Sequence, residues 1–361
     1  MTLGIILASG DSFKNMSKSG QDVRFKYFYI KKFAKSFSKI YIFTYADERV
    51  MELPANVEVV RNKYVNNRFI YGFLMPFLNL RKIYKCDVFR AYHLLGTLPA
   101  IVTRIIFGKP YVFNYAYDYA KFAKIEGKPL QIILIRLIHY PAIFFASKII
   151  ATMQEIFRQL PAKKTFLIPN GVDINFFRPR KKIKVNKKLK LLSVGRLEPQ
   201  KNYLTLISAL KGLAVDFIIV GSGSLKAKLL SLSKKMKVNL KIIDKVENLK
   251  LPEIYNRADI FVLSSLTEGP NKAILEAMAC GLPTVGTNVS GIKEVIINKS
   301  NGLLTKTDSA SLRNSITKLL TNPKLREKLG HNARLYVEKR FDLKSLLKKE
   351  VQVLQQVARN N

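Results

Sequence analysis

The chain is poor in cysteine and histidine. Its 361 residues include only two cysteines, Cys86 and Cys280, and three histidines. Because the two cysteines fall in what we interpret as different domains, a disulfide framework is excluded and a reduced, cytoplasmic setting fits. No spacing of cysteine and histidine matches a zinc site, and no Asp-X-Asp motif is present. The sequence therefore offers no metal site, and we expect none.

Long apolar runs are also missing. Residues 130–146 come closest, but Arg136, His139 and Pro141 interrupt them, which favours a buried or interfacial helix over a membrane-spanning one. The apolar stretch at residues 1–8 has no basic flank and no cleavage site, so it indicates a first strand and not a signal peptide. We therefore expect a cytoplasmic protein.

Acidic residues are scarce. The 62 Lys and Arg against 25 Asp and Glu give a formal net charge of +37, with residues 1–180 contributing +17 and the remainder +20. Such a charge favours anionic partners: nucleic acid, an acidic membrane leaflet or phosphorylated substrates. The alternative is that many lysines are simply solvated helix faces. No nucleic-acid-binding motif is recognisable, so we expect no nucleic-acid partner.

What the chain does have is a regular alternation of apolar strands and amphipathic helices. This order is typical of α/β domains with parallel sheets, and the length allows two of them. A charged run at 180–190 separates two such series. We predict an N-terminal Rossmann-like domain at 1–175, a C-terminal Rossmann-like domain at 176–341, and a C-terminal helix at 342–361 that packs back toward the first domain.

One segment combines basic and aromatic residues at helical spacing. Residues 22–39 interleave six Lys and Arg with six aromatic side chains and Ile30. Such a helix can lie on an anionic membrane surface, or it can turn its apolar side to the core and its basic side to solvent. The sequence leaves both alternatives open.

The stretch at 268–276, Glu-Gly-Pro-Asn-Lys-Ala-Ile-Leu-Glu, is the most informative. It follows an apolar strand at 259–265, so Glu268 lies in a turn, Pro270 in the first helical turn, and Glu276 about two turns further on. The free N–H groups of a helix start attract anions, and carboxylates bind sugar hydroxyls. Together they predict a sugar-nucleotide site. The alternatives are a helix cap for Glu268 and a surface carboxylate for Glu276.

Other polar groups follow predicted strands. Ser19, Gly20 and Gln21 lie in a loop predicted for 9–21, where parallel sheets bind ligands. His93 and Asp118 also follow strands and are candidates on the same side. The Gly-Ser-Gly-Ser turn at 221–224 is compatible with close approach of a ligand to the backbone.

Three motifs in order give the chain a resemblance to family 4 glycosyltransferases, which are retaining nucleotide-sugar enzymes. They are Ile-Pro-Asn-Gly-Val-Asp at 168–173, Val-Gly-Arg-Leu-Glu-Pro-Gln-Lys-Asn at 194–202, and the 268–283 segment that begins with Glu268. The family has the GT-B fold, in which two Rossmann-like domains face each other across a cleft. The resemblance is strongest from residue 168 to about 341.

The resemblance implies roles for individual residues. Arg196 and Lys201, which follow Gly195, match the basic pair that binds the donor diphosphate, where fixed cations stabilise the departing charge. Glu276 matches the ribose-binding glutamate, and Glu268 matches the glutamate beside the donor sugar. The remaining matches are the backbone near the sugar and phosphate (Gly269, Pro270, Asn271, Lys272), the segment near the base (Val246 to Leu249), and a glycine of the first loop (Gly20).

The same resemblance implies transfer of a sugar from a UDP-, GDP- or ADP-sugar with retention of configuration and without a metal. The C-terminal domain would bind the donor and the N-terminal domain, including Asp118, the acceptor. From the charge and residues 22–39 we expect a glycan or lipid-linked acceptor of cell-envelope synthesis, at the inner face of a membrane. Alternatives are a sugar-nucleotide epimerase of the same fold and a basic nucleic-acid-binding protein.

Overall fold

The computed structural model describes every residue except 19, 117–118, 126, 128, 181–187, 245, 270 and 361. The chain divides into two compact units, one formed by Met1–Pro169 with Ser345–Asn361 and the other by Asn170–Lys344. Each unit contains its own parallel sheet and its own buried cores. The α/β prediction of two Rossmann-like domains is confirmed.

The strands are short, and central ones such as Val88–Ala91 in the first unit and Ile260–Leu263 in the second are buried on both faces, as parallel sheets covered by helices require. In the first unit they are β1 (Thr2–Ile6), β2 (Lys39–Phe43), β3 (Val57–Val60), β4 (Val88–Ala91), β5 (Tyr111–Tyr115), β6 (Lys148–Ala151) and β7 (Thr165–Leu167). In the second unit they are β8 (Leu189–Val194), β9 (Val215–Val220), β10 (Asn239–Ile243), β11 (Ile260–Leu263), β12 (Thr284–Thr287) and β13 (Leu303–Thr305).

The helices of the first unit fill the connections between its strands. They are α1 (Phe13–Lys18), α2 (Gln21–Arg24), α3 (Lys31–Phe33), α4 (Arg68–Leu78), α5 (Leu80–Lys85), α6 (Thr97–Phe107), α7 (Tyr119–Ile125), α8 (Pro129–Phe145) and α9 (Gln154–Phe157), with a π-helical segment at Phe25–Ile30 and a 3-10 turn at Leu94–Gly96. Helices α4, α6 and α8 share one buried core against the sheet, to which Met75, Ala100 and Ile135 contribute.

The second unit is built in the same way. Its helices are α10 (Tyr203–Ala209), α11 (Lys226–Lys235), α12 (Leu251–Asn256), α13 (Lys272–Ala279), α14 (Ser290–Lys293), α15 (Ser309–Thr321) and α16 (Pro323–Arg340), with 3-10 turns at Pro199–Lys201 and Asn248–Lys250. The last helix, α17 (Leu343–Arg359), contributes most of its residues to the first unit.

Both sheets have the strand order of a doubly wound fold. The first runs β3-β2-β1-β4-β5-β6-β7 and the second β10-β9-β8-β11-β12-β13, all parallel. The order reverses between β1 and β4 in one sheet and between β8 and β11 in the other. Ligands of such sheets bind beyond the carboxyl ends of the strands at this reversal, so the topology points to the loops after β8 and β11.

One local prediction is wrong. The loop predicted for 9–21 contains α1, because the carboxylate of Glu48 accepts hydrogen bonds from the Phe13 and Lys14 N–H groups at 3.0 and 2.8 Å. Because the capping residue lies more than 30 positions away in the sequence, no local sequence pattern indicates that a helix begins here.

The segment 22–39 has its apolar side in the core. Phe25, Ile30, Phe33 and Phe37 are buried, while Lys31 and Lys35 are exposed. Of the two alternatives for this segment, the structure supports the core-facing helix. No helix in the described residues has the combination of length and hydropathy that crossing a membrane requires.

Candidate functional site

Two loops lie next to each other at the strand-order reversal of the second sheet. The first, at 195–202, leaves β8 and ends at α10; the second, at 264–271, leaves β11 and leads into α13. Leu266 N–H donates to the Gln200 carbonyl at 2.9 Å, and the Gln200 amide donates to the Thr267 carbonyl at 2.9 Å. The Ser264 hydroxyl donates to the Lys201 carbonyl at 2.8 Å. These bonds hold the two loops in register.

A buried ion pair joins the same two loops. The Lys201 ammonium donates to Oε1 of Glu268, and both residues are almost fully buried, at 8% and 7% exposure. The Ser265 hydroxyl donates to the same carboxylate oxygen at 2.9 Å. Because burial removes water from both charges, each depends on the other for its stability. The structure thus brings together two residues that the sequence assigned to one site.

Arg196 differs from Lys201 although both were predicted as diphosphate ligands. Its side chain is exposed and makes no hydrogen bond or ion pair with any residue that the structure describes. It lies close enough to Glu198 to contribute to that residue's lowered pKa, which hydrogen bonds from the Ser224 backbone and side chain mainly cause. Arg196 is therefore a solvated cation at the rim of the two loops.

The loop after β9 packs against the loop after β8 through glycines. At Gly221, φ is +152°, and a Cβ there would lie 2.0 Å from the Gly195 carbonyl oxygen. Leu197 N–H donates to the Ser222 carbonyl at 2.8 Å, and Glu198 accepts from Ser224. The glycines of the Gly-Ser-Gly-Ser turn therefore allow close approach to protein backbone, and approach of a ligand to this turn stays a prediction.

Substituting Gly221 tests how tightly these loops fit. Gly221→Ala is expected to destabilise the protein by about 1–3 kcal/mol more than Gly212→Ala, because its Cβ overlaps backbone. Gly212 is the matched control, since it also has a positive φ but a Cβ there would have no atom within 4 Å, which leaves only conformational strain of about 1–2 kcal/mol. Urea denaturation measures both; equal losses would contradict the close fit.

The start of α13 differs from its predicted form. The helix begins at Lys272, with Asn271 as the N-cap residue whose side chain accepts from the Ile274 N–H at 3.3 Å. Pro270, predicted in the first turn, lies outside the described residues. Glu268 is upstream of the cap and pairs with Lys201, so the alternative of Glu268 as the helix cap is wrong. Lys272 is half-buried at the first helical position.

The backbone at Glu268 and Gly269 packs directly on the start of α14. Gly291 N–H donates to the Glu268 carbonyl at 3.2 Å, and a Cβ at Gly291 would lie 2.0 Å from the Gly269 carbonyl oxygen. This contact fixes the path of the chain between the buried glutamate and α13.

Glu276 points into the protein. Its side chain is 3% exposed, and the hydroxyl of the fully buried Tyr255 on α12 donates to its Oε2 at 2.9 Å. The alternative of a surface carboxylate is therefore wrong. A carboxylate is buried only where polar partners stabilise it, so Tyr255 holds Glu276 in a fixed orientation.

Removing the Tyr255 hydroxyl is expected to lower the stability of the protein measurably. Tyr255→Phe is expected to lower the free energy of unfolding by about 1–3 kcal/mol, because Glu276 loses a donor while it remains buried. Tyr203→Phe is the matched control: Tyr203 is equally buried, but its hydroxyl has no hydrogen-bond partner among the described residues. Loss of the Tyr203 hydroxyl should leave the free energy of unfolding unchanged. Chemical denaturation compares the two, and a similar loss in both would contradict the role of Tyr255.

Sequence reasoning missed two polar side chains of this site, Ser265 and Tyr203. Ser265 follows the buried strand β11 directly, and a hydroxyl at a strand end was the available signal. Tyr203 lies at the start of α10, and its hydroxyl is beside Gly195. Burial first, and then the charge of Glu268, raise the pKa of Tyr203. Nothing in the sequence distinguishes Tyr203 from a core tyrosine.

The remaining candidates lie elsewhere. Val246 is half-buried beyond β10. In the first unit, Gly20 is separated from β1 by α1 and has a φ of 69° where α2 begins. His93 follows β4 with a φ of 61°, an uncommon value for a side-chain-bearing residue, and its Nδ1 lies 3.0 Å from the Tyr119 hydroxyl. Asp118 lies outside the described residues.

The two cysteines are buried free thiols in different units, and burial raises the pKa of each to about 12. Within the part of the chain that the structure describes, no group of three His, Cys, Asp or Glu side chains has an arrangement that could hold a metal ion.

Comparison with known proteins gives consistent results. The family model "Glycosyl transferases group 1" matches residues 175–336. The UDP-Gal:alpha-D-GlcNAc-diphosphoundecaprenol alpha-1,3-galactosyltransferase of Escherichia coli is 32% identical over 202 residues, 50% of this chain and 51% of that protein. The capsular polysaccharide biosynthesis glycosyltransferase CapM of Staphylococcus aureus is 26% identical over 277 residues, 69% of this chain and 70% of that protein.

Among solved structures, the sucrose-phosphate synthase of Thermosynechococcus elongatus superposes with a TM-score of 0.84 over the whole of both chains at 20% identity, which shows a shared fold. The sequence matches extend over 43% to 51% of the length of three curated relatives, about half of each. The region that the family model matches contains both loops of the site and the Lys201–Glu268 pair. Over residues 175–336, which lie in its second unit, the chain is therefore similar to the group 1 glycosyltransferases.

Proposed function

We propose that this protein is a retaining glycosyltransferase that moves a sugar from a nucleotide diphosphate sugar to a glycan or lipid-linked acceptor of cell-envelope synthesis. The observation that carries the proposal is the buried Lys201–Glu268 pair, which joins the loops after β8 and β11 at the strand-order reversal. A cation held there is available to a diphosphate, and a carboxylate beside it to sugar hydroxyls.

Each residue has a role in the proposed reaction. Arg196 and Lys201 bind the diphosphate and stabilise the negative charge that develops on it as the bond to the anomeric carbon breaks. Glu276, oriented by Tyr255, accepts hydrogen bonds from the ribose hydroxyls. Glu268 and the backbone at 269–272 bind the donor sugar, and Val246 contacts the base.

The hydrogen bonds that Glu268 already accepts favour a retaining mechanism, which needs no protein base. The Glu268 carboxylate already accepts from Lys201 and Ser265, so it is poorly suited to act as a general base. In the proposed step, the acceptor oxygen bonds to the anomeric carbon on the face that the diphosphate leaves, and the acceptor proton passes to the departing phosphate oxygen. No protein group has to change its protonation state.

We propose a UDP-sugar as the donor and a polyprenyl-diphosphate-linked sugar as the acceptor. The name of the 32%-identical E. coli relative includes both a UDP-sugar and a diphosphoundecaprenol acceptor. The S. aureus relative is named for capsular polysaccharide biosynthesis. These names support a role in envelope synthesis, and the high positive charge of the chain is suited to a diphosphate on either substrate.

A ligand screen followed by product analysis tests the proposal. We expect UDP to raise the melting temperature of the protein more than GDP or ADP, and a matching nucleotide sugar to be consumed in the presence of a lipid-diphosphate-linked sugar. Proton NMR of the product should show the anomeric configuration of the donor. A product of inverted configuration, or conversion of the donor sugar to its epimer without an acceptor, would contradict the proposal.

A further inference from the structure

The helix layer formed by α4, α6 and α8 in the first unit has an unusually apolar outer face. Helix α6 packs against both α4 and α8, and the aromatic rings of Phe77 and Phe107 join α4 to α6. We define the outer patch by its exposed apolar side chains. They are Ile70, Phe73 and Phe77 on α4, Ile105 and Ile106 on α6, and Leu130, Ile133, Leu137, Tyr140 and Phe144 on α8.

The exposed residues of α8 form one continuous stripe. They recur at spacings of three and four residues along the whole helix, whereas Ile135 and Ala142 on the opposite side are buried against the sheet. At 1.5 Å per residue, the stripe from Leu130 to Phe144 is about 21 Å long. Single exposed apolar residues are ordinary on a protein surface, but a contiguous set on neighbouring helices marks an interaction surface.

The charged side chains on the helices at the outer patch are basic. The sequences of α4, α5, α6 and α8 contain no Asp or Glu, whereas Arg81, Lys85 and Arg136 are exposed. At the ends of the helices, Lys109 donates to the Tyr84 carbonyl and Lys164 to the Phe144 carbonyl, both at 2.8 Å. Asp87, the first acid after α5, accepts from the Thr2 N–H at 2.7 Å.

We propose that the outer patch binds the surface of an anionic membrane. Its aromatic and aliphatic side chains enter the boundary between headgroups and acyl chains, and the surrounding Lys and Arg contact lipid phosphates. A second copy of this chain fits less well, because a twofold contact through the patch would bring Arg81, Lys85 and Arg136 of both copies together. The proposal moves the membrane contact from residues 22–39, whose apolar side is buried, to α4, α6 and α8.

The absence of tryptophan from the chain provides a clean reporter. A Tyr140→Trp variant carries a single tryptophan on the outer patch, and a Leu335→Trp variant carries one at an exposed apolar position of α16. With vesicles of phosphatidylcholine and phosphatidylglycerol, the first variant should show a blue-shifted emission and quenching by brominated acyl chains. The second should show neither. An unchanged spectrum for the Tyr140→Trp variant, or equal shifts in both, would overturn the proposal.

Charge insertion gives a second, independent measurement. The double variant Leu137→Asp with Phe144→Asp changes two side chains that are 68% and 72% exposed, so the fold should tolerate it. Its partition onto anionic vesicles, measured by cosedimentation, should fall about tenfold or more. The control, Ile297→Asp with Leu335→Asp, places the same charges at two exposed apolar positions of the second unit and should bind like the parent protein.

Two outcomes would overturn the proposal here: undiminished binding of the first double variant, or a protein dimer in solution that this variant dissociates. Hydrolysis of the water-soluble donor by both double variants separates this inference from the proposed enzyme function. The donor reaction should be unchanged in each, because none of the four positions lies in the site after β8 and β11.

Discussion

Replacing Lys201 with methionine is expected to lower the turnover of the donor sugar by about 10²–10³-fold, because the proposed diphosphate site loses one fixed cation. The same change should also weaken the fold. Glu268 is 7% exposed and would retain only the Ser265 hydroxyl as a side-chain donor among the described residues, so a buried charge would lose its counter-ion. Breaking such a pair by removing one partner costs about 3–5 kcal/mol.

Arg196→Met is the matched control for Lys201→Met. It removes a cation from the same loop, but Arg196 is exposed and has no ion pair with any described residue, so the free energy of unfolding should change by less than about 0.5 kcal/mol. Affinity for the nucleotide diphosphate should still fall. Denaturation curves and calorimetric titration with UDP separate the two effects for each variant.

A double variant keeps the test of Lys201 informative if Lys201→Met alone unfolds. Combining Lys201→Met with Glu268→Gln removes both charges from the buried site and should restore most of the lost stability without restoring turnover. Full turnover in any folded variant that lacks the Lys201 ammonium would contradict its role at the diphosphate.

Glu350→Ala is expected to destabilise the first unit by about 3–5 kcal/mol, because it leaves the Arg90 guanidinium buried without a counter-ion. Arg90 Nε donates to Glu350 Oε1 at 2.5 Å, and the two residues are 4% and 5% exposed. Burial lowers the pKa of Arg90 and the Glu350 carboxylate raises it, with a net upward direction. The remaining partner side chains are the neutral Asn114, at 3.0 Å, and the ring of Tyr92, 3.8 Å below the guanidinium.

The Arg334–Glu338 pair provides the control. It has the same Nε to Oε1 distance of 2.5 Å, but it lies within one helix and its side chains are 17% and 36% exposed. Arg334 also donates to three backbone carbonyls, so it keeps partners when the carboxylate is removed. Glu338→Ala should cost about 0.3–0.5 kcal/mol. Thermal denaturation should rank the two variants clearly, and equal losses would show that burial of the Arg90 pair contributes nothing.

Much of the fold could be read from the sequence because local patterns determine it. Short apolar runs between polar turns, at residues 189–194 and 215–220, define strands β8 and β9. The motifs at 194–202 and 268–283 also identified the two loops that the structure brings together. Adjacent strands in a doubly wound sheet place their following loops side by side. Knowing which strand each loop follows was therefore sufficient to predict that the two loops meet.

The sequence could not predict contacts between side chains that lie far apart along the chain. Lys201 was predicted as a diphosphate ligand, but its ion pair with Glu268, 67 residues later, was not predicted. The cap of α1 by Glu48 and the pair of Arg90 with Glu350 were missed for the same reason: neither partner changes the local sequence pattern around the other. The apolar helix at 130–146 is a related case: apolar residues cover it all round, so periodicity could not tell which side meets solvent.

The Arg90–Glu350 pair also has a consequence for the order in which the protein is made. Residues 170–344 are continuous in the chain, so the second unit can fold during synthesis as soon as its last strand and helices have been translated. The first unit is begun earlier but must wait, because Arg90 meets its counter-ion only after 260 further residues. During translation the unit that is started first is therefore completed last, with an unpaired guanidinium in its sheet until α17 arrives.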